Sequence, residues 1–324
     1  LIVAHPKNFS DELLYAIDQY TMKGGRALIF VDPHNESDQM SMLLGSGMGA
    51  NSSNISRLFE AWGVNYDEQR VLLDAYAGLD VRTQNGDIAR HFGFVGFSAN
   101  ELNDKDVTTS NLDLINGASF GIFKKGASSG QRWATLIHST KNSDLIDSAL
   151  YAQTREPLAL SQEYTSNNQE YVLATRITGN AKSAFESPPE GIESDGSLSS
   201  TKDLNVMLVG DTDLLSDRFW VQQSSFFGQT ITTPFANNGD FVTNAVENLA
   251  GSDALISIRS RGTFARPFDK VEQLKLVAEQ KFREQEKILQ QQLEEAELQL
   301  AQLQEQQGEG GALVISSQQQ SPVR

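Results

Sequence analysis

Three aspartates within seven residues, Asp211, Asp213 and Asp217 in the run GDTDLLSD, form the sharpest cluster of chemistry-bearing side chains in the chain. They follow Val206 to Val209, an apolar run of strand character, and Gly210 permits a tight turn directly after it. Carboxylates gathered at the C-terminal end of a strand can hold a hard cation such as magnesium or calcium, because both ions take oxygen ligands. The same residues also suit a plainer purpose. Asp211 or Asp213, placed before a helix starting at Leu214, would accept hydrogen bonds from the otherwise orphan N–H groups of its first turn. Capping explains the residue types without a ligand, so no metal and no cofactor are assigned.

Two further strand ends carry polar side chains: His5 with Lys7 after the run LIVA, and Asp32 with His34 after the run from Arg26 to Val31. In open α/β sheets the binding crevice lies beyond the carboxyl ends of the strands, where strand order reverses. If the three strands are neighbours, His5, Asp32, His34, Asp211, Thr212 and Asp213 line one ligand-binding pocket. Catalytic constellations are harder to find. The chain has no cysteine, which removes thiol nucleophiles, disulfides and Cys-ligated metal centres. There is no G-x-S-x-G elbow, and Gly45-Ser46-Gly47 has no strand before it. Neither G-x-x-x-x-G-K-[ST] nor a G-x-G-x-x-G after a strand is present, so nucleotide hydrolysis would have to come from another subunit. The four histidines, His5, His34, His91 and His138, lack metal-ligand spacing and read as structural or exposed. Arg259, Arg261 and Arg266 stand out in an acidic chain as a possible partner-binding group, or as internal partners of Asp253 and Asp269.

The elements that would position these residues can be read from periodicity. Ser10 precedes a helical pattern carrying Leu13, Leu14, Ile17 and Tyr20, which Gly24-Gly25 ends, and a buried strand then runs to Asp32-Pro33. Strand, helix, strand with short joins is a parallel βαβ unit. A second such unit is expected from Ile55, Leu58, Phe59 and Trp62 leading to a strand at Val71 to Leu73. Further strands are expected at Phe94 to Phe97, Ser119 to Phe123, Thr135 to His138 and Tyr171 to Ile177, and a helix at Gly239 to Leu249. Residues 35–53 read as a mobile loop. Residues 186–203, rich in Ser, Pro and Gly, cannot bury enough apolar surface to offset their ordering and read as a flexible excursion. The expected fold is therefore α/β, a mostly parallel sheet flanked by helices, over residues 1–266.

Beyond Pro267 the pattern becomes a single Gln/Glu-rich helix over residues 267–307. Leu289, Leu293, Ala296, Leu300 and Leu303 form a narrow seam on it. Such a helix would extend roughly 55 Å, and its seam, Leu289, Leu293 and Leu300 above all, invites a partner or a second copy of the chain. Residues 308–324 read as unstructured. The overall charge is −16, from 26 basic and 42 acidic residues, which disfavours nucleic acid and anionic lipid as partners. No stretch approaches the roughly 20 apolar residues of a membrane helix, so the sequence reads as a soluble piece of a longer protein.

Several runs are more specific than any fold pattern: NVMLVGDTDLLSD at residues 205–217, NAVENLAGSDALISIRSRGTFARPF at residues 244–268, IDQYTMKGGRALIFVDP at residues 17–33, and YVLATRITGNAKSAF at residues 171–185. Together they resemble the GldG-like, gliding-motility-type auxiliary components of uncharacterised ABC transport systems. The resemblance implies a flavodoxin-like or class I glutamine-amidotransferase-like fold, here without that fold's cysteine nucleophile. It also implies a non-enzymatic role outside the cytoplasmic membrane, on the periplasmic face, with permease and ATPase subunits as partners and membrane anchors in the parent protein. A solute- or carbohydrate-binding module using the strand-end pocket is the competing expectation.

Overall fold

The computed structural model describes residues 1–38, 51–83, 85–127, 130–154, 156–193, 195–226 and 229–251, with isolated positions beyond. The chain divides into two units, Leu1–Pro267 and Phe268–Arg324. The second falls almost wholly outside the described residues, as do Arg259, Arg261, Arg266, Leu293, Leu300 and Gly45-Ser46-Gly47. Leu289 is described: it is helical and 64% exposed.

The chain opens with β1 (Ile2–Ala4), α1 (Asp11–Met22) and β2 (Arg26–Phe30), and β1 and β2 pair in parallel as the βαβ pattern requires. Ser10 caps α1, its Oγ accepting from Leu13 N–H at 3.4 Å, and the helix ends at Met22 with Lys23 as its C-cap, before Gly24-Gly25. Next come α2 (Ser56–Ala61), β3 (Val64–Tyr66), β4 (Arg70–Asp74), β5 (Gly78–Arg82), β6 (Ile88–Ser98) and β7 (Leu114–Ala118). The remainder is β8 (Phe123–Lys125), β9 (Gln131–His138), β10 (Ser143–Asp147), α3 (Ser148–Gln153), α4 (Pro157–Glu163), β11 (Val172–Lys182), β12 (Ser200–Val209), β13 (Val221–Phe226), β14 (Gln229–Pro234) and α5 (Asn238–Ala250). Among the described residues no helix is long and apolar enough to cross a membrane.

The central sheet runs β1-β2-β12-β11-β8-β3, with β9 also paired to β11. Its β1, β2 and β12 are parallel, whereas β11, β8, β9 and β3 pair antiparallel. The α/β class is thus present, but the sheet is mixed. Antiparallel neighbours need no crossover helix, and among the described residues there are few helices to supply one. Both faces of β2 and β12 are covered: Leu28, Phe30, Met207 and Val209 join one core with Phe241 and Ala245 of α5, and Ala27, Ile29, Val206 and Leu208 join the other with Tyr15, Ile17 and Met22 of α1. Burial on both faces is why these strands read as continuous apolar runs.

Three expectations are corrected. Val71 to Leu73 belongs to β4, which pairs antiparallel with β10 outside the central sheet; α2 leads instead into β3, so the second βαβ unit does not form. Ser119 to Phe123 is not one strand, because Ser119 adopts φ 46° in the turn between β7 and β8. The excursion expected to reach 203 stops earlier, since β12 begins at Ser200 and pairs with β11 from there.

Candidate functional site

Because β1, β2 and β12 are neighbours, their C-terminal ends lie side by side. Asp32 follows β2 and Asp211 follows β12, and the turns after them are laced together. Thr212 donates to Asp32 Oδ2 from its hydroxyl at 2.6 Å and from its N–H at 3.2 Å, while Asp32 Oδ1 accepts from His34 N–H at 2.9 Å. Asn35 Nδ2 donates to Thr212 Oγ1 at 2.5 Å. Asp213 accepts from Glu36 N–H at 2.7 Å and Ser37 Oγ at 2.5 Å, drawing residues 35–37 over the β12 turn. Asp211 accepts from Asp213 N–H at 2.7 Å and from Ala118 N–H at 3.2 Å. All three carboxylates are buried, and one oxygen of each lies within 4.8 Å of the other two.

The expected helix at Leu214 is replaced by two short 3-10 turns, Asp213–Leu215 and Asp217–Phe219, and no side chain caps the first. Asp211 instead closes an Asx turn by accepting the N–H two residues on. Asp213 binds across the site, so its acceptors organise a distant loop and not a helix end. Asp217 opens the second 3-10 turn.

Two glycines make room for this arrangement. A Cβ at Gly117 would stand 2.0 Å from Asp211 Oδ2, and one at Gly210 would stand 2.3 Å from the carbonyl oxygen of Gly121, whose N–H donates to Gly210 O at 2.6 Å. Gly210 is therefore required by close backbone approach more than by its turn.

The electrostatics are strained. Burial pushes the carboxyls of Asp32 and Asp211 well above the usual carboxylate range, and neighbouring aspartate charges push them further. Asp213 is raised too, mainly by burial, with Ser37, Glu36 N–H and the Arg218 guanidinium at 3.8 Å opposing the rise. A ring of further side chains surrounds the cluster. Tyr151 Oη donates to Glu36 Oε1 at 3.2 Å, and His34 packs edge-on against Tyr151 with 3.7 Å between His34 Nε2 and Glu36 Oε1.

Of the six pocket residues expected, Asp32, Asp211, Thr212 and Asp213 come together directly, and His34 joins through its backbone. His5 does not. Its Nε2 lies 3.6 Å from Asp38, which forms a salt bridge with Lys7, and burial followed by the Lys7 charge lowers the His5 pKa. His91 is structural, its Nδ1 accepting from Phe94 N–H at 3.0 Å, and His138 Nδ1 lies 2.9 Å from Ser139 O. Gly117 and Tyr151 were not legible as site residues, because each comes from an element far away in sequence, whereas Arg218 lies only five residues after Asp213 and carried a local signal that was not read. Asn35, Glu36 and Ser37 carried a local signal, since they directly follow Asp32-Pro33-His34.

At the opposite, N-terminal ends of β1 and β2 lies a cavity of about 510 Å3 lined by Leu1, Ile2, Tyr20, Arg26, Val246 and Leu249 among others. Arg26 is engaged there, its Nη1 donating to Leu249 O at 2.6 Å. A protein-family model described as an ABC-type uncharacterized transport system matches residues 1–245, about three quarters of the chain, and so contains every strand-end residue of the site. No curated protein matches the chain.

Proposed function

Since the chain belongs to the family of auxiliary components of uncharacterised ABC-type transport systems, we propose that it works by holding partner subunits and not by turning over a substrate. The observation that carries this reading is that the strand-end side chains are tied to one another and to the neighbouring turns. Asp32, Thr212, Asn35, Glu36, Ser37 and Asp213 spend their hydrogen bonds on one another and on backbone N–H groups. A catalytic crevice would keep a nucleophile or general base turned toward a reactant. The sequence also lacks a phosphate-cradling loop, so ATP turnover falls to a separate ATPase subunit.

In this reading the domain stands on the periplasmic face of the inner membrane, beside the permease, as in gliding-motility-type systems. The helix expected over residues 267–307 spaces it from the membrane or joins it to a second copy. The competing role, a solute- or carbohydrate-binding module, needs Asp32 and Thr212 free to face a ligand, and here they face each other.

Tagged full-length chain, solubilised from membranes in mild detergent, should bring down the permease and ATPase subunits encoded with it. Recovery of the chain alone, under crosslinking that preserves a known transporter complex, would sink the proposal.

A further inference from the structure

We propose that Asp32, Asp211 and Asp213 bind one hard divalent cation, calcium or magnesium, at the C-terminal ends of β2 and β12. The first observation is geometric. One oxygen from each buried carboxylate lies within 4.8 Å of the others. Oxygens that share a calcium or magnesium ion at about 2.0–2.6 Å from it stand no more than about 5 Å apart, twice that bond length.

The hydrogen bonds already made leave room for the ion. A carboxylate oxygen has about two acceptor sites. Each oxygen of Asp211 accepts one N–H, from Asp213 and Ala118. Among the described residues Asp32 Oδ1 accepts only from His34 N–H, and Asp213 Oδ2 only from Glu36 N–H. These bonds aim the side chains, which is what a pre-organised ligand set needs.

The second observation is independent of the acidic cluster. Tyr66 reaches from β3 to the same end of the sheet, where it is 8% exposed and its hydroxyl has no hydrogen-bond partner among the described residues. A Cβ at Gly121 would stand 3.1 Å from both Tyr66 Oη and Pro33 Cδ, so the hydroxyl lies no more than about 6 Å from an atom of the residue that follows Asp32. Gly121 in turn pairs with Gly210, the residue before Asp211. The Tyr66 pKa is raised, first by burial and then by the charges of Asp32, Glu68, Asp67 and Asp211. A buried hydroxyl without a partner is costly, and a water carried by the ion is the missing partner it would find there. Once ionised by a bound cation, the three carboxylates would face only a weak protein counter-charge, Arg218 at 3.8 Å from Asp213 with its side chain 46% exposed, which the ion itself would supplement.

The inference is independent of the auxiliary-subunit reading. A subunit that only holds partners can contain such an ion, and either idea can fail while the other stands.

The test uses the full chain stripped with a chelator, then titrated with calcium, magnesium and terbium. Either natural cation should raise Tm by about 5–10 °C at a hundredfold excess over its Kd. Terbium luminescence should saturate at one equivalent and be displaced by calcium. Asp213→Asn is the mildest ligand change, because the amide can still accept from Glu36 N–H while donating to Ser37 Oγ; it should weaken binding at least about tenfold. Tyr66→Phe alters no carboxylate and should weaken it by a smaller factor. Folded wild-type chain without a Tm shift or saturable terbium emission would overturn the proposal. So would unchanged affinity in Asp213→Asn, which would place the ion elsewhere. If Asp213→Asn does not fold, the wild-type titration and Tyr66→Phe decide, and unchanged affinity in Tyr66→Phe then overturns the site.

Discussion

Asp74, at the end of β4, is a buried carboxylate whose surroundings are simpler than those of the strand-end cluster. Its Oδ1 accepts from Tyr76 N–H and Ala77 N–H at 3.0 Å and from Thr140 Oγ1 at 2.8 Å, and its Oδ2 accepts from Thr140 N–H at 2.8 Å. Four donors favour the charged form, yet burial outweighs them and pushes the pKa from 3.8 up to about 6. The folded chain therefore holds this proton more tightly than the unfolded chain does. Its contribution is fully present below about pH 4 and is lost as pH rises through about 6, a change on the order of 3 kcal/mol. Asp74→Asn cannot titrate. The stability of wild type relative to Asp74→Asn should thus fall between pH 4.5 and pH 7.5, as read from urea midpoints at both values. A constant difference across that range would contradict the assignment.

At the scale of elements, α1 does more than cover a face of the sheet. Asp18 accepts from Ser183 Oγ at 2.6 Å, Ala184 N–H at 3.1 Å and Trp62 Nε1 at 3.3 Å, which holds the end of β11. One residue on, the Gln19 amide exchanges two hydrogen bonds with Leu198, accepting its N–H at 2.8 Å and donating to its carbonyl at 2.9 Å. Tyr15 Oη bonds Ser197 Oγ beside it. The helix therefore clamps both ends of the Ser/Pro/Gly-rich excursion and, among the described residues, shortens the stretch it leaves unclamped to about residues 186–196. Amide exchange should be fast there and slow from Leu198 onward. In Gln19→Ala the fast zone should spread toward Ser200, while slow exchange throughout residues 190–196 in wild type would refute the composition argument.

At the scale of the whole molecule, the question is what the second unit does for the first. Leu289 is helical and 64% exposed, and the sequence places it in the expected apolar seam flanked by Gln and Glu. A seam this short and alanine-containing should associate weakly. Sedimentation of the full chain should show concentration-dependent self-association that disappears in Leu289→Asp combined with Leu293→Asp, with unchanged thermal stability of the first unit. A monomer at all concentrations would remove the second copy as a partner and leave the other transporter subunits as candidates.

The sequence alone determined what depends on near neighbours. The β1-α1-β2 unit, the Ser10 cap, the stop at Gly24-Gly25 and the doubly buried character of β2 and β12 are properties of residues a few positions apart. So is the exclusion of thiol chemistry, which needs only the absence of cysteine. Asp32, Asp211, Thr212 and Asp213 were legible for the same reason, since each directly follows a readable strand. The tertiary structure alone decided pairing. An apolar run suits a parallel or an antiparallel neighbour equally well, so nothing local told β4 to pair with β10 or β11 to run against β12. It also decided who joins the carboxylates. Gly117 meets Asp211, and Tyr66 meets Gly121, across long stretches of chain, and hydrophobic periodicity records that a residue is buried without recording which distant side chain it is buried against.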